Sequence, residues 1–206
     1  MRRRDLLLAP LLLAVARCAS PDPAIYTLRA VPGAAEGGGP QAVKLDRPGL
    51  AGYLDRSEIV RDSSTNRLRL DSGERWGEPL GDMIGRVLAE DLSQRLPGSS
   101  VFNESGAISV DASATVELDV ERFDLDTSGQ VVLLVQVAVE LGASHDPAFT
   151  RSLRLTMRPA SASTPDLVSA MSALIGQLAD AVATLLRSAH ARAAGPAALR
   201  PGRRGR

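Results

Sequence analysis

The sequence predicts an α+β domain of two layers, a mostly antiparallel sheet covered on one face by two amphipathic helices. Two long stretches carry apolar residues at helical spacing, one stripe each, and three stretches in the second half alternate apolar and polar residues as half-buried strands do. The elements run β, β, α, β, β, β, α without an internal repeat, and a helix with a single apolar stripe needs a partner surface such as a sheet.

In chain order, Ile25-Tyr26-Thr27-Leu28 is a candidate first strand, and Gly33 to Pro40 reads as a flexible linker. Short strands are expected at Val43 to Leu45, Ile59 to Arg61 and Arg67 to Leu70, with turns at Asp62-Ser63-Ser64 and Asp71-Ser72-Gly73. Glu78-Pro79 opens the first helix, whose face is Leu80, Ile84, Val87, Leu88, Leu92 and Leu96, and Pro97-Gly98 stops it. Val116, Leu118 and Val120 alternate with Glu117, Asp119 and Glu121. Val131 to Leu141 is apolar almost throughout, as a central strand is, and Leu153, Leu155 and Met157 alternate with Arg154, Thr156 and Arg158. These three strands predict an antiparallel meander. Thr164 reads as an N-cap with Pro165 at the first helical position, and Leu167, Met171, Leu174, Leu178, Val182 and Leu185 mark the second helix.

The 206 residues suit one domain with extensions, divided as a signal peptide (1–17), a tether with a possible first strand (18–40), an α+β domain (41–191) and a disordered basic tail (192–206). The net charge of zero hides segregation: residues 18–191 hold 15 of the 24 basic and 23 of the 24 acidic side chains, about −8 overall. That body repels phosphate backbones, and with only three Phe, two Tyr and one Trp it lacks stacking platforms, so nucleic acid is not an expected partner. Five Arg in the last 15 residues form a solubilising tail or touch anionic lipid.

Arg2, Arg3 and Arg4 followed by an apolar run from Leu6 to Ala16 build an export signal too short to span a bilayer. Two cleavage readings stand. Ala14-Val15-Ala16 is an A-x-A site releasing a chain that starts near Arg17, whereas Cys18, just after the apolar run, is placed like the lipidated first residue of a lipoprotein, with Arg17 where a small residue is usual. Cys18 is the single cysteine, so neither an intrachain disulfide nor a cysteine zinc cage is available.

No cofactor or nucleotide motif is present: both phosphate-cradling glycine patterns are absent, and Gly37-Gly38-Gly39 does not follow a strand. The only histidines are His145, in a turn-like Ser144-His145-Asp146-Pro147, and His190, near the end of the last helix, so no nucleophile has an evident base. Glu117, Asp119, Glu121, Asp124 and Asp126 read as a solvated strand face rather than a Ca²⁺ site. Trp76, beside Glu74, Arg75 and Glu78, either anchors an interface or packs the start of the first helix onto the sheet.

Several blocks carry a family resemblance: Gly52-Tyr53-Leu54-Asp55-Arg56-Ser57-Glu58-Ile59-Val60, then Asn66-Arg67-Leu68, Glu74-Arg75-Trp76-Gly77-Glu78-Pro79-Leu80, and Arg86-Val87-Leu88-Ala89-Glu90-Asp91-Leu92. Their order and spacing resemble the ABC-type transport auxiliary lipoprotein (PqiC-like) family. Tyr26-Thr27-Leu28, Val116 to Asp124 and Ala170-Met171-Ser172 extend the likeness over most of the mature chain, while Asp46-Arg47-Pro48-Gly49 departs from the smooth strand usual there. The resemblance implies a non-enzymatic, membrane integrity-associated subunit in the periplasm, anchored to the outer membrane through Cys18 and assembled as a homo-oligomer. Its implied partners are an MCE-domain protein and the ABC ATPase and permease of an intermembrane lipid transport system. Leu54, Asp55, Arg56, Arg75, Trp76 and Glu78 are the implied contact residues. An alternative of similar architecture is a periplasmic lipoprotein assisting lipopolysaccharide or outer-membrane protein assembly.

Overall fold

The computed structural model describes residues 22–63, 66–104, 110–142 and 147–195. The signal segment with Cys18, the turn containing His145, and residues 196–206 lie outside the described residues. The elements are β1 (Ala24–Tyr26), β2 (Ala42–Leu45), β3 (Gly49–Leu50), β4 (Glu58–Asp62), β5 (Arg69–Trp76), α1 (Leu80–Arg95), β6 (Ser100–Asn103), β7 (Ala114–Leu125), β8 (Val131–Leu141), β9 (Pro147–Met157) and α2 (Thr164–Ala194). The fold is α+β, as the periodicity predicts.

Strand β7 organises a nine-stranded mixed sheet. One edge carries the long antiparallel meander β7–β8–β9, and the other receives β2, β3 and β4 in turn, each parallel to it. β5 pairs antiparallel with β4, and β1 closes that side parallel to β5, with Tyr26 opposite Trp76. Val116, Leu118 and Val120 of β7 face Val139, Val137 and Val135 of β8, all buried. Three consecutive residues of β8, Val131, Val132 and Leu133, are fully buried, the mark of a central strand. Between Val120 and Arg122 the register slips, so Phe123 takes over the core-facing role and Asp124 turns to the other face.

The predicted stripe of α1 is buried from Leu80 to Leu92, with Leu96 just beyond, and Gly98, at φ +92°, turns the chain after Pro97. Each fully buried Leu or Ile of this kind contributes about 1.5–3 kcal/mol. Helix α2 packs on β8, β9 and α1. It is long and apolar enough to cross a membrane, yet 67% of its most apolar stretch is buried inside the domain, so it is a core helix.

Four local expectations change. The N-cap of α2 is Ser163, whose Oγ accepts from the Asp166 amide at 3.3 Å, while Thr164 is buried and donates to Asp71. Strand β5 continues through the expected turn at Asp71-Ser72-Gly73, because Gly73 adopts φ +81° and absorbs the irregularity in its pairing with β4. β3 and β6 were without a sequence signal, being two and four residues long. Finally, α2 runs three residues into the segment read as tail.

Within the segment read as a tether, the chain from Leu28 to Glu36 lies as a strap on the two helices. Leu28 is buried in the core, and Val31 is bonded at both ends: its amide donates to Asp91 Oδ1 at 2.7 Å and its carbonyl accepts from Arg95 at 3.1 Å. The Glu36 amide donates to the Arg95 carbonyl, and the Glu36 carboxylate pairs with Arg187 of α2 at 2.9 Å. Gly176 of α2 lets the strap approach, since a Cβ there would lie 3.1 Å from Val31 Cβ. Proline, glycine and alanine give this segment a linker's composition, but the backbone groups of Val31 and the amide of Glu36 find partners on α1.

Burial pushes the Asp91 carboxyl up to about 6 from 3.8, against the opposing pull of the Val31 amide and Arg95. A raised acid pKa favours the folded state below the unfolded pKa, and that advantage is lost as pH rises through the folded value. Asp91→Asn should therefore gain stability relative to the parent between pH 4 and pH 6, by up to about 3 kcal/mol. Urea denaturation of both proteins at several pH values in that window checks this, and a constant difference would contradict it.

Candidate functional site

The pairing of β4 with β5 brings two separate sequence blocks together. The Tyr53-to-Ser57 turn is closed by backbone bonds from Leu54 to Ala51 and from Arg56 to Leu54, and the Trp76 amide donates to the Ser57 carbonyl at 2.8 Å. Between this turn and the start of α1 lies a cleft of about 380 Å³ lined by Asp55, Arg56, Ser57, Trp76, Glu78 and Pro79. Four of the residues singled out in the sequence thus share one cleft.

The other two do not line it. Leu54 is 1% exposed and belongs to the core, so it holds the turn in place and offers no contact surface. Arg75 is exposed on β5, opposite Glu58. Trp76, 6% exposed, is mainly a packing residue of the core, with one part at the cleft. Cys18 lies outside the described residues.

The charges in the cleft differ in their surroundings. Glu78 pairs with Arg86 of α1 at 2.5 Å. Asp55 is exposed on the rim. Arg56 is half-buried, and its Nε has no hydrogen-bond partner among the described residues. A buried donor left unpaired costs about 1–3 kcal/mol.

Behind the turn sits a polar cluster. Asp124 is fully buried and accepts from Tyr53 Oη at 3.0 Å, Ser63 Oγ at 2.6 Å and Arg122 Nε at 2.8 Å. Burial, reinforced by the Asp124 charge, pushes the Tyr53 hydroxyl up to about 12. Asp124 was expected on a solvated face; the slip in β7 register buries it, while Glu117, Asp119 and Glu121 remain exposed. Among the described residues no group of three or more His, Cys, Asp or Glu is placed to hold a metal, and His190 is exposed on α2.

The sequence pattern of the ABC-type transport auxiliary lipoprotein component family matches residues 26–183. The chain belongs to this family. The match runs from the end of β1 into α2 and so takes in the strap, the cleft and the Asp124 cluster. Family membership makes the protein an auxiliary lipoprotein component of ABC-type transport, a class of the cell envelope. Among solved structures, a Xanthomonas campestris protein of a family of unknown function is similar at 15% identity with a TM-score of 0.68, covering 84% of this chain and 98% of its own. A second, an uncharacterised protein, is similar at 17% identity and a TM-score of 0.67, covering 80% and 99%. At such identities these two share the fold. No match was found among functionally curated proteins.

Asp91 and Arg95 have no role in the sequence reading, and Asp124 is read there only as part of a solvated acidic face. A signal existed for the first two: at three residues past Leu88 and Leu92 they fall on the apolar face of α1, where a charge must be paired.

Proposed function

We propose that this lipoprotein is a non-enzymatic periplasmic adaptor of an MCE/ABC-type intermembrane lipid transport system. It is tethered to the outer membrane through Cys18, works as a homo-oligomer, and docks on the transporter's periplasmic component through the cleft between the Tyr53–Ser57 turn and the start of α1. The observation that carries this reading is the convergence of two motif blocks on one cleft in a member of the transport-auxiliary family.

Cross-linking intact cells, capturing the protein through a C-terminal tag and identifying its companions by mass spectrometry tests the assignment. Enrichment of an MCE-domain protein and its ATPase is the expected result. Enrichment of outer-membrane assembly factors alone would replace this function with the assembly-lipoprotein alternative.

The anchor has its own test. Cys18→Ala is expected to move the protein from membrane to soluble fractions, and unchanged membrane fractionation would contradict lipidation at Cys18.

A further inference from the structure

The cleft's charges and shape also select the kind of segment that fills it. Resting on the docking reading above, we infer that the cleft binds a partner's peptide segment in which a carboxylate side chain sits beside an apolar one, with Arg56 reading the carboxylate and Trp76 and Pro79 packing the apolar neighbour. The volume of about 380 Å³ holds one or two side chains. Glu78 is already neutralised by Arg86, and Asp55 stands in water on the rim. Arg56 differs from both: it forms no ion pair among the described residues, and its Nε is buried without an acceptor. A carboxylate entering the cleft supplies acceptor oxygens to the part of the guanidinium that borders it, and so answers a positive charge without an ion pair among the described residues. The backbone bonds that close the turn hold Arg56 in place before a partner arrives.

Trp76 is the only tryptophan of the chain and borders the cleft, so its fluorescence responds to a segment bound there without interference from another tryptophan. The test titrates the mature protein with capped pentapeptides carrying a central Asp flanked by Leu, Val, Phe or Ala, each against its Asn twin. Leu- or Phe-flanked Asp peptides are expected to change the emission saturably and to bind about tenfold more tightly than their Asn twins. Arg56→Gln should abolish that discrimination and Arg56→Lys should retain part of it, with the far-ultraviolet circular dichroism and melting temperature unchanged. Equal affinities for Asp and Asn peptides, no saturable change with any of them, or tighter binding of a short-chain phosphatidylglycerol would overturn the inference. Peptide discrimination without capture of transport subunits would leave the cleft chemistry standing and remove the proposed function. Capture of those subunits, undiminished in Arg56→Gln, would do the reverse.

Discussion

Arg95→Ala is expected to destabilise the protein by about 3–5 kcal/mol and to release the strap from the helices. Arg95 is 2% exposed and donates to the carbonyls of Val31 and Asp91, each at 3.1 Å, and to Asp180 Oδ1 at 2.5 Å. It also stands 3.6 Å from the buried Asp91 carboxylate. Its removal leaves that carboxylate with the Val31 amide as its hydrogen-bond partner among the described residues, and an uncompensated buried charge accounts for most of the loss. The double variant Asp91→Leu with Arg95→Met should recover part of it, because apolar residues of similar volume need no pairing. Chemical denaturation measures the stability, and hydrogen exchange at Leu28 to Glu36 reads the strap. A loss below about 1 kcal/mol with unchanged exchange would contradict the role given to Arg95.

The second large effect falls on Asp124. Asp124→Ala leaves Tyr53, Ser63 and Arg122 without their common acceptor and is expected to cost about 2–4 kcal/mol while loosening the turn that carries Asp55 and Arg56. Asp124→Asn isolates the charge. Removing the carboxylate's negative charge should bring the Tyr53 hydroxyl down from about 12 toward its ordinary 10, with burial keeping part of the shift. The chain has only two tyrosines, so an absorbance titration resolves the change. An unmoved Tyr53 titration would show that the Asp124 charge has no hold on it.

Much of the fold was legible because its signals are local. The stripe from Leu80 to Leu96, the alternation from Val116 to Val120 and the apolar run of β8 each follow from the period of one element. The features that were not legible depend on partners distant in sequence. β3 is two residues long and exists because β7 offers it an edge, and the strap is ordered by Asp91 and Arg95 some 60 residues away. The burial of Asp124 follows from a single slip in register, of which the sequence sign is that Phe123 falls out of step with Val116, Leu118 and Val120. For the cleft, the sequence offered the residue blocks, but only the β4–β5 pairing, with Glu58 opposite Arg75, separates Asp55, Arg56, Trp76 and Glu78 at the cleft from Leu54 in the core.

Site-directed photo-cross-linking tests the central claim most directly. A photoactivatable amino acid is placed in turn at Asp55 on the cleft rim and at Arg154, exposed on β9, and cells are irradiated. The docking account predicts a cross-linked product containing a subunit of an ABC-type transport system from Asp55 and none from Arg154. Transport subunits cross-linked from Arg154 and not from Asp55, or from neither position, would contradict it.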